Sequence, residues 1–376
     1  MVTKATSSSA IAAAVFMVAA LITAVLSDDM LPVPGDKSQL TKWFNDNVKP
    51  LSSSRIEMNN NKGLRIINPK LAAAEKRVKV VKVKKDGSGD FKTVSDAIKA
   101  IPEGNRRRVI VYVGSVTYFE KIKIEKTKPF VTLFGDPKNF PNLTFDGTAQ
   151  RFGTVDSASL IVESDYFVVA NLVISNSAPM PDGRREGAQA VALRVSGNNS
   201  AFYNCVLLGF QDTLCDDRGN HLFKDCTIQG TVDFIFGSGK SLYLNTKLIV
   251  VGTVGGVIAA QARESDDDTI GYSFVHCDIS GTASGTFLGR AWMAYGRVVY
   301  AYSTISNIIT PLGWNINNHP AMAQTVYFGE YQNSGDGANT KGRAPFTKIL
   351  NDADAKQFIS LGFIEASKWL LPPPQA

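Results

Sequence analysis

The amino-acid sequence predicts an all-β protein, a right-handed parallel β-helix with short capping helices. Short β-rich segments that share one residue pattern recur through the middle of the chain, and no long amphipathic helix separates them. Such repeats are typical of stacked coils, in which each coil covers the apolar face of its neighbour. The lack of helices between the strands argues against a βαβ sheet.

The repeated pattern is an aromatic residue, a small or polar residue three positions later, and an apolar residue two positions further on. The clear copies are Phe202-Tyr-Asn-Cys205-Val-Leu, Phe223-Lys-Asp-Cys226-Thr-Ile, Tyr243-Leu-Asn-Thr246-Lys-Leu, Phe274-Val-His-Cys277-Asp-Ile and Tyr300-Ala-Tyr-Ser303-Thr-Ile. Their marker positions 205, 226, 246, 277 and 303 are 21, 20, 31 and 26 residues apart. We interpret Val168-Val-Ala-Asn171-Leu-Val as an earlier copy, with Asn171 aligned to Cys205. A β-sandwich would not predict such a residue-type ladder.

The two ends of the chain fit a capped stack of coils. Residues 79–85 alternate Val and Lys, as an edge strand would, and residues 93–101 have the spacing of a helix that could cap the first coil. Residues 352–370 predict a helical segment packed on the outside. Residues 28–76 are polar, and we predict an irregular N-terminal arm without chemistry. The catalytic β-helix domain is therefore expected over residues 77–376.

The first residues resemble a secretory signal. Lys4 precedes an apolar run over residues 10–26, and Ser27 then leads into a polar stretch. This order predicts a signal peptide over residues 1–27 and a secreted, extracellular protein. A signal anchor is the alternative, because the run is slightly long for a signal and slightly short for a span. After cleavage no membrane attachment is expected.

Charge narrows the class of partner. Without Lys4 the chain has 39 basic and 34 acidic side chains, a net charge of +5. A mildly basic secreted protein suits a polyanionic partner, whereas spread-out basic residues and export argue against nucleic acid. Two sequons, at Asn142 and Asn198, permit N-glycosylation.

Two aspartates occupy the same place in successive repeats. Asp212 lies seven residues after Cys205, and Asp233 lies seven residues after Cys226. Stacked strands are ~4.8 Å apart, so these carboxyls should be neighbours. Two such carboxyls cannot both ionise freely, and we expect one pKa to rise while a cation holds the other low. A structural ion pair for Asp233 and an Asx turn for Asp212 are the alternatives, but the pairing favours catalysis.

Four blocks of the sequence resemble plant pectin methylesterases. They are Gln189-Ala-Val-Ala-Leu-Arg194, Gly209-Phe-Gln-Asp-Thr-Leu214, Gly230-Thr-Val-Asp-Phe-Ile-Phe-Gly237 and Leu288-Gly-Arg-Ala-Trp292. The resemblance runs from about Val78 to Leu371 and is greatest to the forms without an inhibitor-like pro-region, several of them from pollen. It implies a carboxylic ester hydrolase that demethylates pectin in the plant cell wall.

The resemblance also implies a role for each matching residue. Asp233 matches the nucleophile, and Asp212 matches the general acid that later acts as base. Gln189 and Gln211 match the amides that stabilise the oxyanion, although Gln189 alone could be an internal polar ladder residue. Arg290 matches the guanidinium that holds the nucleophile ionised, with a surface arginine as the alternative.

The resemblance extends to substrate contacts and partners. Trp292 matches an aromatic sugar platform, Thr154 matches a substrate-contacting threonine, and Gln189 and Arg290 also touch substrate in the family. Trp314 could pack or contact substrate, and Cys215 stands where many relatives have a substrate-side tyrosine. No metal or other cofactor is implied. The implied partners are methylesterified homogalacturonan and a proteinaceous inhibitor, and the implied state is a monomer; pollen relatives are often allergens.

Other functions remain open at this stage. Close carboxylates would also suit a retaining glycosidase that cuts the pectin backbone. A pectate lyase would need a calcium cluster, for which residues 266–268 are the candidate, although they read better as a solvated loop. A catalytically silent pectin-binding protein is the third alternative. A disulfide between Cys205 and Cys226 is also left open, because their predicted spacing suits one but the torsion of an in-line pair does not.

Overall fold

The computed structural model describes residues 32–51 and 67–374. The predicted signal peptide, residues 1–27, lies outside the described residues. The prediction of a signal therefore stays a prediction.

The described chain consists mainly of short strands. The first nine are β1 (Lys79–Val83), β2 (Val109–Val113), β3 (Thr117–Phe119), β4 (Ile122–Ile124), β5 (Val131–Phe134), β6 (Asn142–Phe145), β7 (Leu160–Val162), β8 (Val168–Ala170) and β9 (Val173–Asn176). The next nine are β10 (Leu193–Val195), β11 (Ser200–Tyr203), β12 (Val206–Leu208), β13 (Leu214–Asp216), β14 (Asn220–Lys224), β15 (Thr227–Gly230), β16 (Ile235–Gly237), β17 (Lys240–Leu244) and β18 (Lys247–Val250). The last nine are β19 (Val254–Gln261), β20 (Gly271–Val275), β21 (Asp278–Gly281), β22 (Ser284–Arg290), β23 (Arg297–Ala301), β24 (Thr304–Ile305), β25 (Trp314–Asn315), β26 (Tyr327–Tyr331) and β27 (Thr347–Ile349).

Helices in the described residues are short. The α-helices are α1 (Leu40–Asn47), α2 (Pro69–Glu75), α3 (Val94–Lys99), α4 (Ala149–Phe152) and α5 (Asp352–Ala355). The 3₁₀ turns are Lys37–Gln39, Val155–Ser157, Pro320–Gln324, Asp336–Ala338, Thr340–Gly342, Leu361–Ile364 and Ala366–Lys368.

The strands form three parallel sheets. Sheet 1 has eleven strands in the order β1-β2-β5-β8-β11-β14-β17-β20-β23-β26-β27. Sheet 2 runs from β3 through β6, β9, β12, β15, β18 and β21 to β24, and sheet 3 runs from β4 through β7, β10, β13, β16, β19 and β22 to β25. The chain visits the sheets in turn, one strand from each per coil. The fold is the predicted right-handed parallel β-helix.

The interior of the stack contains the predicted aromatic ladder. Phe202, Phe223, Tyr243, Phe274 and Tyr300 lie in register on successive strands of sheet 1. Their rings stack with centroids 4.4, 4.7, 4.5 and 4.5 Å apart. Stacked pairs of this kind contribute about 0.5–1.5 kcal/mol each beyond the burial of their surface. The repeat predicted from the sequence is confirmed.

The alignment of the earliest copy was wrong by one residue. Tyr203 pairs with Ala170, and Val206 pairs with Val173, so Asn171 lies opposite Asn204. The Nδ2 of Asn204 donates to the Oδ1 of Asn171 over 2.9 Å, as this register requires. In this coil an aliphatic residue occupies the aromatic position of the ladder. The sequence of this coil therefore had no aromatic residue from which its alignment with the later copies could be set.

Both predicted features at the first coil are confirmed. Strand β1 is the edge of sheet 1, and α3 follows it. The side chain of Thr93 caps α3 by accepting from the backbone N–H of Asp96. Val94, Ala97 and Ile98 are buried in the same core as the first strands, so the helix covers their apolar end.

The described parts of the N-terminal arm, residues 32–51 and 67–76, are not irregular, contrary to the prediction for residues 28–76. Its described parts form α1 and α2, and they bury Leu40, Phe44 and Leu71. The apolar side chains at helical spacing within a polar segment explain the difference, because they pack on the outer face of sheet 1.

A C-terminal segment covers the same outer face. Residues 350–371 form α5 and two 3₁₀ turns instead of one continuous helix, but they lie on the outside as predicted. We call residues 32–48 and 350–371 together the outer cover. Its two parts are joined by the N–H of Val33, which donates to the carbonyl of Ile359 over 2.6 Å.

The outer cover is bonded to several coils. The hydroxyl of Tyr203 in β11 donates to the carbonyl of Leu371 over 2.7 Å, and that of Ser273 in β20 donates to the carbonyl of Phe358 over 2.7 Å.

The four cysteines, Cys205, Cys215, Cys226 and Cys277, are all buried free thiols, so the structure contains no bridge between Cys205 and Cys226.

Candidate active site

Asp212 and Asp233 lie on successive coils at the turn from sheet 2 to sheet 3. Asp212 follows β12 and precedes β13, and Asp233 follows β15 and precedes β16. The pairing of Leu214 with Ile235 places the two aspartates opposite each other, as predicted. Both have positive φ values, 66° and 50°. Aspartate tolerates this left-handed conformation better than most residues, and such strain concentrates at functional sites.

A glycine makes room for this turn. A Cβ on Gly230 would lie 2.1 Å from the Cβ of Phe234, whose ring is fully buried beneath the second aspartate turn. In the preceding coil the hydroxyl of Thr213 donates to the carbonyl of Gln229 over 2.8 Å and ties the two turns together. The backbone that carries the aspartates is therefore fixed by packing and by hydrogen bonds.

Arg290 supplies the cation that the sequence predicted. It ends β22, two strands along sheet 3 from β16. Its Nε donates to Oδ1 of Asp233 over 2.8 Å, and its Nη2 donates to Oδ2 of the same carboxylate. This is a two-point, charge-assisted pair with the side chain of Asp233 only 6% exposed. The alternative of a surface arginine is excluded.

The two carboxyls differ in electrostatic environment. Burial, together with the neighbouring charge of Asp233, raises the pKa of Asp212 to about 8. Burial also leaves the pKa of Asp233 above its ordinary value, although the hydrogen bonds and charge of Arg290 oppose the rise, so the expectation that a cation holds this pKa low was wrong. Asp212 makes no side-chain hydrogen bond to any described residue. Because only Asp233 contacts the guanidinium, it is the member of the pair that ionises first.

Gln189 and Gln211 flank the aspartates on adjacent coils. The N–H of Ala190 donates to the carbonyl of Gln211 over 3.2 Å, so the glutamines are one residue out of register. Both are partly exposed, and neither side-chain amide has a hydrogen-bond partner among residues 32–51 and 67–374. Their N–H donors are therefore free to bind a ligand oxygen.

The predicted aromatic platform lies beside this pair. Trp292 is 47% exposed, and the guanidinium carbon of Arg290 lies 5.5 Å from the centroid of its ring. Trp314, by contrast, is buried, stacks on Phe328 and donates from Nε1 to Oε1 of Glu330 over 3.0 Å. Trp314 is therefore a packing residue.

Thr154 and Cys215 occupy different settings. Thr154 is half-buried at the start of the turn Val155–Ser157, in a loop tied to the site by the bond from the N–H of Ala149 to the carbonyl of Gln189 over 2.8 Å. Cys215 is 1% exposed in a small apolar cluster with Ala158, Ile161 and Val191. Its side chain therefore presents no exposed surface to a substrate.

One residue that contacts the site was missed. Oδ1 of Asn317 accepts a hydrogen bond from Nη1 of Arg290 over 3.1 Å. The two residues lie 27 positions apart, beyond the reach of any local pattern. The tandem Asn317-Asn318 was the available signal, because paired asparagines mark a turn with positive φ.

Within residues 32–51 and 67–374, no three His, Cys, Asp or Glu side chains are grouped so that they could hold a metal ion. The same stretches contain no helix with the length and apolarity needed to span a bilayer. The site brings together two buried carboxyls with different surroundings and two partly exposed amides. Such a set can attack a carbonyl, stabilise the oxyanion and protonate a leaving group.

Comparison with known proteins points to one family. A pectinesterase family model matches residues 79–367. The chain is 53% identical to pectinesterase 1 of Olea europaea over 351 residues, which cover 93% of both chains. It is also 53% identical over 351 residues, again 93% of both chains, to a pectinesterase of Parthenium hysterophorus. The structure of pectin methylesterase from carrot matches with a TM-score of 0.70 and 31% identity over 78% of this chain and 98% of that one.

Proposed function

The chain belongs to the pectinesterase family and is a carboxylic ester hydrolase, and we propose that it demethylates homogalacturonan through an acyl-enzyme on Asp233. The observation that carries this proposal is the asymmetry of the aspartate pair. Asp233 is bonded at both oxygens by Arg290, whereas Asp212 is buried beside it without a cation. One carboxyl is thereby kept as an anion and the other as an acid.

In the first half of the reaction a carboxylate oxygen of Asp233 attacks the C6 carbonyl carbon of a methylated galacturonate. Charge develops on the carbonyl oxygen, and the free amides of Gln189 and Gln211 donate to it; losing one such donor typically costs about 10²–10³ in rate. The bond from C6 to the methoxy oxygen then breaks. Asp212 gives its proton to that oxygen, so neutral methanol leaves.

In the second half water resolves the acyl-enzyme. Asp212, now ionised, takes a proton from the water as its oxygen attacks the acyl carbon. The bond to Asp233 breaks, and the galacturonate leaves as a free acid. Asp212 is protonated again, and the carboxylate of Asp233 returns to its pair with Arg290, so the cycle closes without a cofactor.

The exposed residues around the pair are the proposed substrate contacts. The ring of Trp292 offers an apolar face on which a sugar ring can stack. Thr154 lies in the loop that is bonded to Gln189. Arg290 and Gln189 reach the reacting unit itself.

We further propose that the protein is secreted to the plant cell wall as a monomer, with an inhibitor protein as a partner. The signal-like residues 1–27 and the net charge of +5 after their removal support secretion to the wall, because homogalacturonan becomes a polyanion as it is demethylated. Asn198 is exposed and is the better candidate for a glycan. Asn142 is half-buried in β6 and accepts from the hydroxyl of Ser175 over 3.0 Å. Sequencing the N-terminus of the secreted protein tests the cleavage of the signal, and mapping its glycopeptides tests which asparagine carries a glycan.

The reaction is tested by measuring methanol released from methylated pectin and, in parallel, the length of the polymer. We expect methanol without chain shortening. Shortening would indicate a glycosidase or a lyase, and binding without either product would indicate a silent pectin-binding protein.

The assignment of the two aspartates needs a second substrate. Asp212→Asn should be slow on pectin but should recover activity on an activated aryl ester, whose alcohol leaves without protonation. Asp233→Asn should recover nothing. Equal rescue of both variants, or rescue of Asp233→Asn alone, would refute the covalent assignment.

A further inference from the structure

Arg290 is held at three points, and Asp233 accounts for only two of them. The Nε and Nη2 atoms bind the carboxylate, which leaves Nη1 to donate to Oδ1 of Asn317 over 3.1 Å. A guanidinium has donors but no acceptor, so the amide of Asn317 must turn its oxygen toward it. The third contact restrains rotation of the guanidinium about the edge that faces Asp233.

The loop that presents Asn317 is itself constrained. Asn317 and Asn318 follow each other with φ values of 53° and 60°, a left-handed pair that costs energy without glycine. The N–H of Asn317 donates to Oδ1 of Asn315 over 2.5 Å, and Asn315 pairs with Arg290 in register between β25 and β22. These contacts fold the loop back over the end of β22.

A buried network anchors the base of this loop. Nε1 of Trp314 donates to Glu330, which also forms an ion pair with Arg343 over 2.7 Å. The side chains of Glu330 and Arg343 are 2% and 4% exposed, so the network is shielded from water and well fixed. The acceptor oxygen of Asn317 is thus presented from a rigid support rather than from a free loop.

We propose that Asn317 is a positioning residue that fixes the plane of Arg290 against the carboxylate of Asp233. The inference rests on the proposed role of Asp233 as nucleophile. With the third contact in place, the two donors remain aligned with both carboxylate oxygens and the attacking oxygen keeps its direction. Without it the guanidinium can tilt, and one of the two bonds lengthens.

The test compares two neighbouring glycine substitutions. Asn317→Gly removes the amide but keeps a residue that adopts positive φ freely, and Asn318→Gly makes the same backbone change one residue away. Asn317→Gly should lower kcat about tenfold, the value of one hydrogen bond to a charged group, with little change in KM. Asn318→Gly should match the unchanged chain.

The pH profile separates positioning from simple destabilisation. Asp212 from the preceding coil and Arg290 from β22 are the charged groups that face Asp233, and Arg290 is the one that lowers its pKa. A tilted Arg290 would lower the pKa of Asp233 less. The acid limb of kcat/KM should therefore move to higher pH in Asn317→Gly and stay in place in Asn318→Gly.

A third variant keeps the acceptor. Asn317→Asp retains an oxygen facing Nη1 and should recover kcat to within about threefold on the plateau of the profile. The inference is overturned if the acid limbs of Asn317→Gly and Asn318→Gly coincide, or if Asn317→Asp is no faster than Asn317→Gly at any pH. Failure of the unchanged chain to release methanol would instead overturn the proposed function.

Discussion

The corner between sheets 1 and 2 and the corner between sheets 2 and 3 both turn through polar residues with positive φ. The first, which we call the asparagine corner, has such residues on consecutive coils: Asn171, Asn204, Asp225, Asn245, His276, Tyr302 and Gln332. The second, the carboxylate corner, has Asp212 and Asp233. The same backbone conformation thus serves two parts of one coil.

The side chains at the two corners behave differently. At the asparagine corner they bond along the stack: Nδ2 of Asn204 donates to Asn171, and Nδ2 of Asn245 donates to Oδ1 of Asp225 over 2.6 Å. At the carboxylate corner two acids meet, and neither can donate to the other once ionised. The side chains of the asparagine corner satisfy one another along the stack, whereas at the carboxylate corner Asp233 is satisfied by Arg290 and Asp212 has no side-chain hydrogen bond to a described residue.

The largest expected difference is in turnover. Asp233→Asn should reduce methanol release by about 10⁴-fold or more, as loss of a catalytic nucleophile does. Asp225→Asn, the same change at the asparagine corner, should leave kcat within about twofold. The comparison fails if Asp225→Asn is as inactive as Asp233→Asn while both variants remain folded by circular dichroism.

Catalysis should require arginine, and not only a positive charge, at position 290 of the carboxylate corner. Arg290→Lys keeps the charge but loses the planar two-point bond, so kcat should fall by about 10- to 100-fold with a modest change in KM. Arg218→Lys, at an arginine whose side chain is 71% exposed, is the control and should have no effect. Near-unchanged turnover of Arg290→Lys would show that the pairing with Asp233 is not needed.

The pH dependence should report the acid of the pair. The pKa of Asp212 is about 8, so on pectin kcat/KM should fall about tenfold per pH unit above that value as the proton is lost. An activated aryl ester needs no protonation, and its profile should lack this limb. A profile on pectin that stays flat from pH 7 to 10 would contradict the assignment.

The asparagine corner should respond in stability instead. Asn245→Ala loses the bond to Asp225 and places alanine at a φ of 54°, and together these should cost about 1–3 kcal/mol of the free energy of unfolding. Asn245→Gly should lose only the bond. Urea unfolding measures both, and kcat should be unchanged in each; a fall in kcat would show that the corners are coupled.

At the carboxylate corner, by contrast, a substitution should raise the free energy of unfolding. In the folded protein the pKa of Asp212 is raised to about 8 from an ordinary value of 3.8, so its contribution to stability is full below pH 4 and is lost as the pH rises toward 8. Asn has no proton to lose. Asp212→Asn should therefore be more stable than the unchanged chain at pH 7, and this gain in the free energy of unfolding should vanish near pH 4 in thermal unfolding.

The sequence was sufficient where one residue type recurs. Rings at positions such as Phe202 and Phe223 must stack on themselves, so the repeat revealed both the coil and the neighbouring aspartates. Asn171 was misplaced because its coil carries Val169 in place of a ring. The correct alignment follows from the pairing of each strand with the strand of the next coil, and the sequence of one strand alone does not show that pairing.

Contacts across many coils were beyond prediction for a related reason. Leu40, Phe44 and Val48 are four residues apart and all buried, a helical signal hidden by the polar residues between them. The bond between Arg290 and Asn317 joins the end of β22 to the loop after β25, and their separation depends on the chain between them. Such a contact depends on how the folded coils are stacked, and no pattern of neighbouring residues in the sequence predicts it.

The outer cover changes how the stack can come apart. A stack whose coils touch only their neighbours can fray from either end, one coil at a time. Here Tyr203 in β11 and Ser273 in β20, three strands apart in sheet 1, are bonded to the same C-terminal segment. A coil in this region cannot peel away without stripping that segment from the others. We therefore expect the coils between β11 and β20 to unfold together. The turns that carry Asp212 and Asp233 lie among these coils, so they should be as stable as the group as a whole.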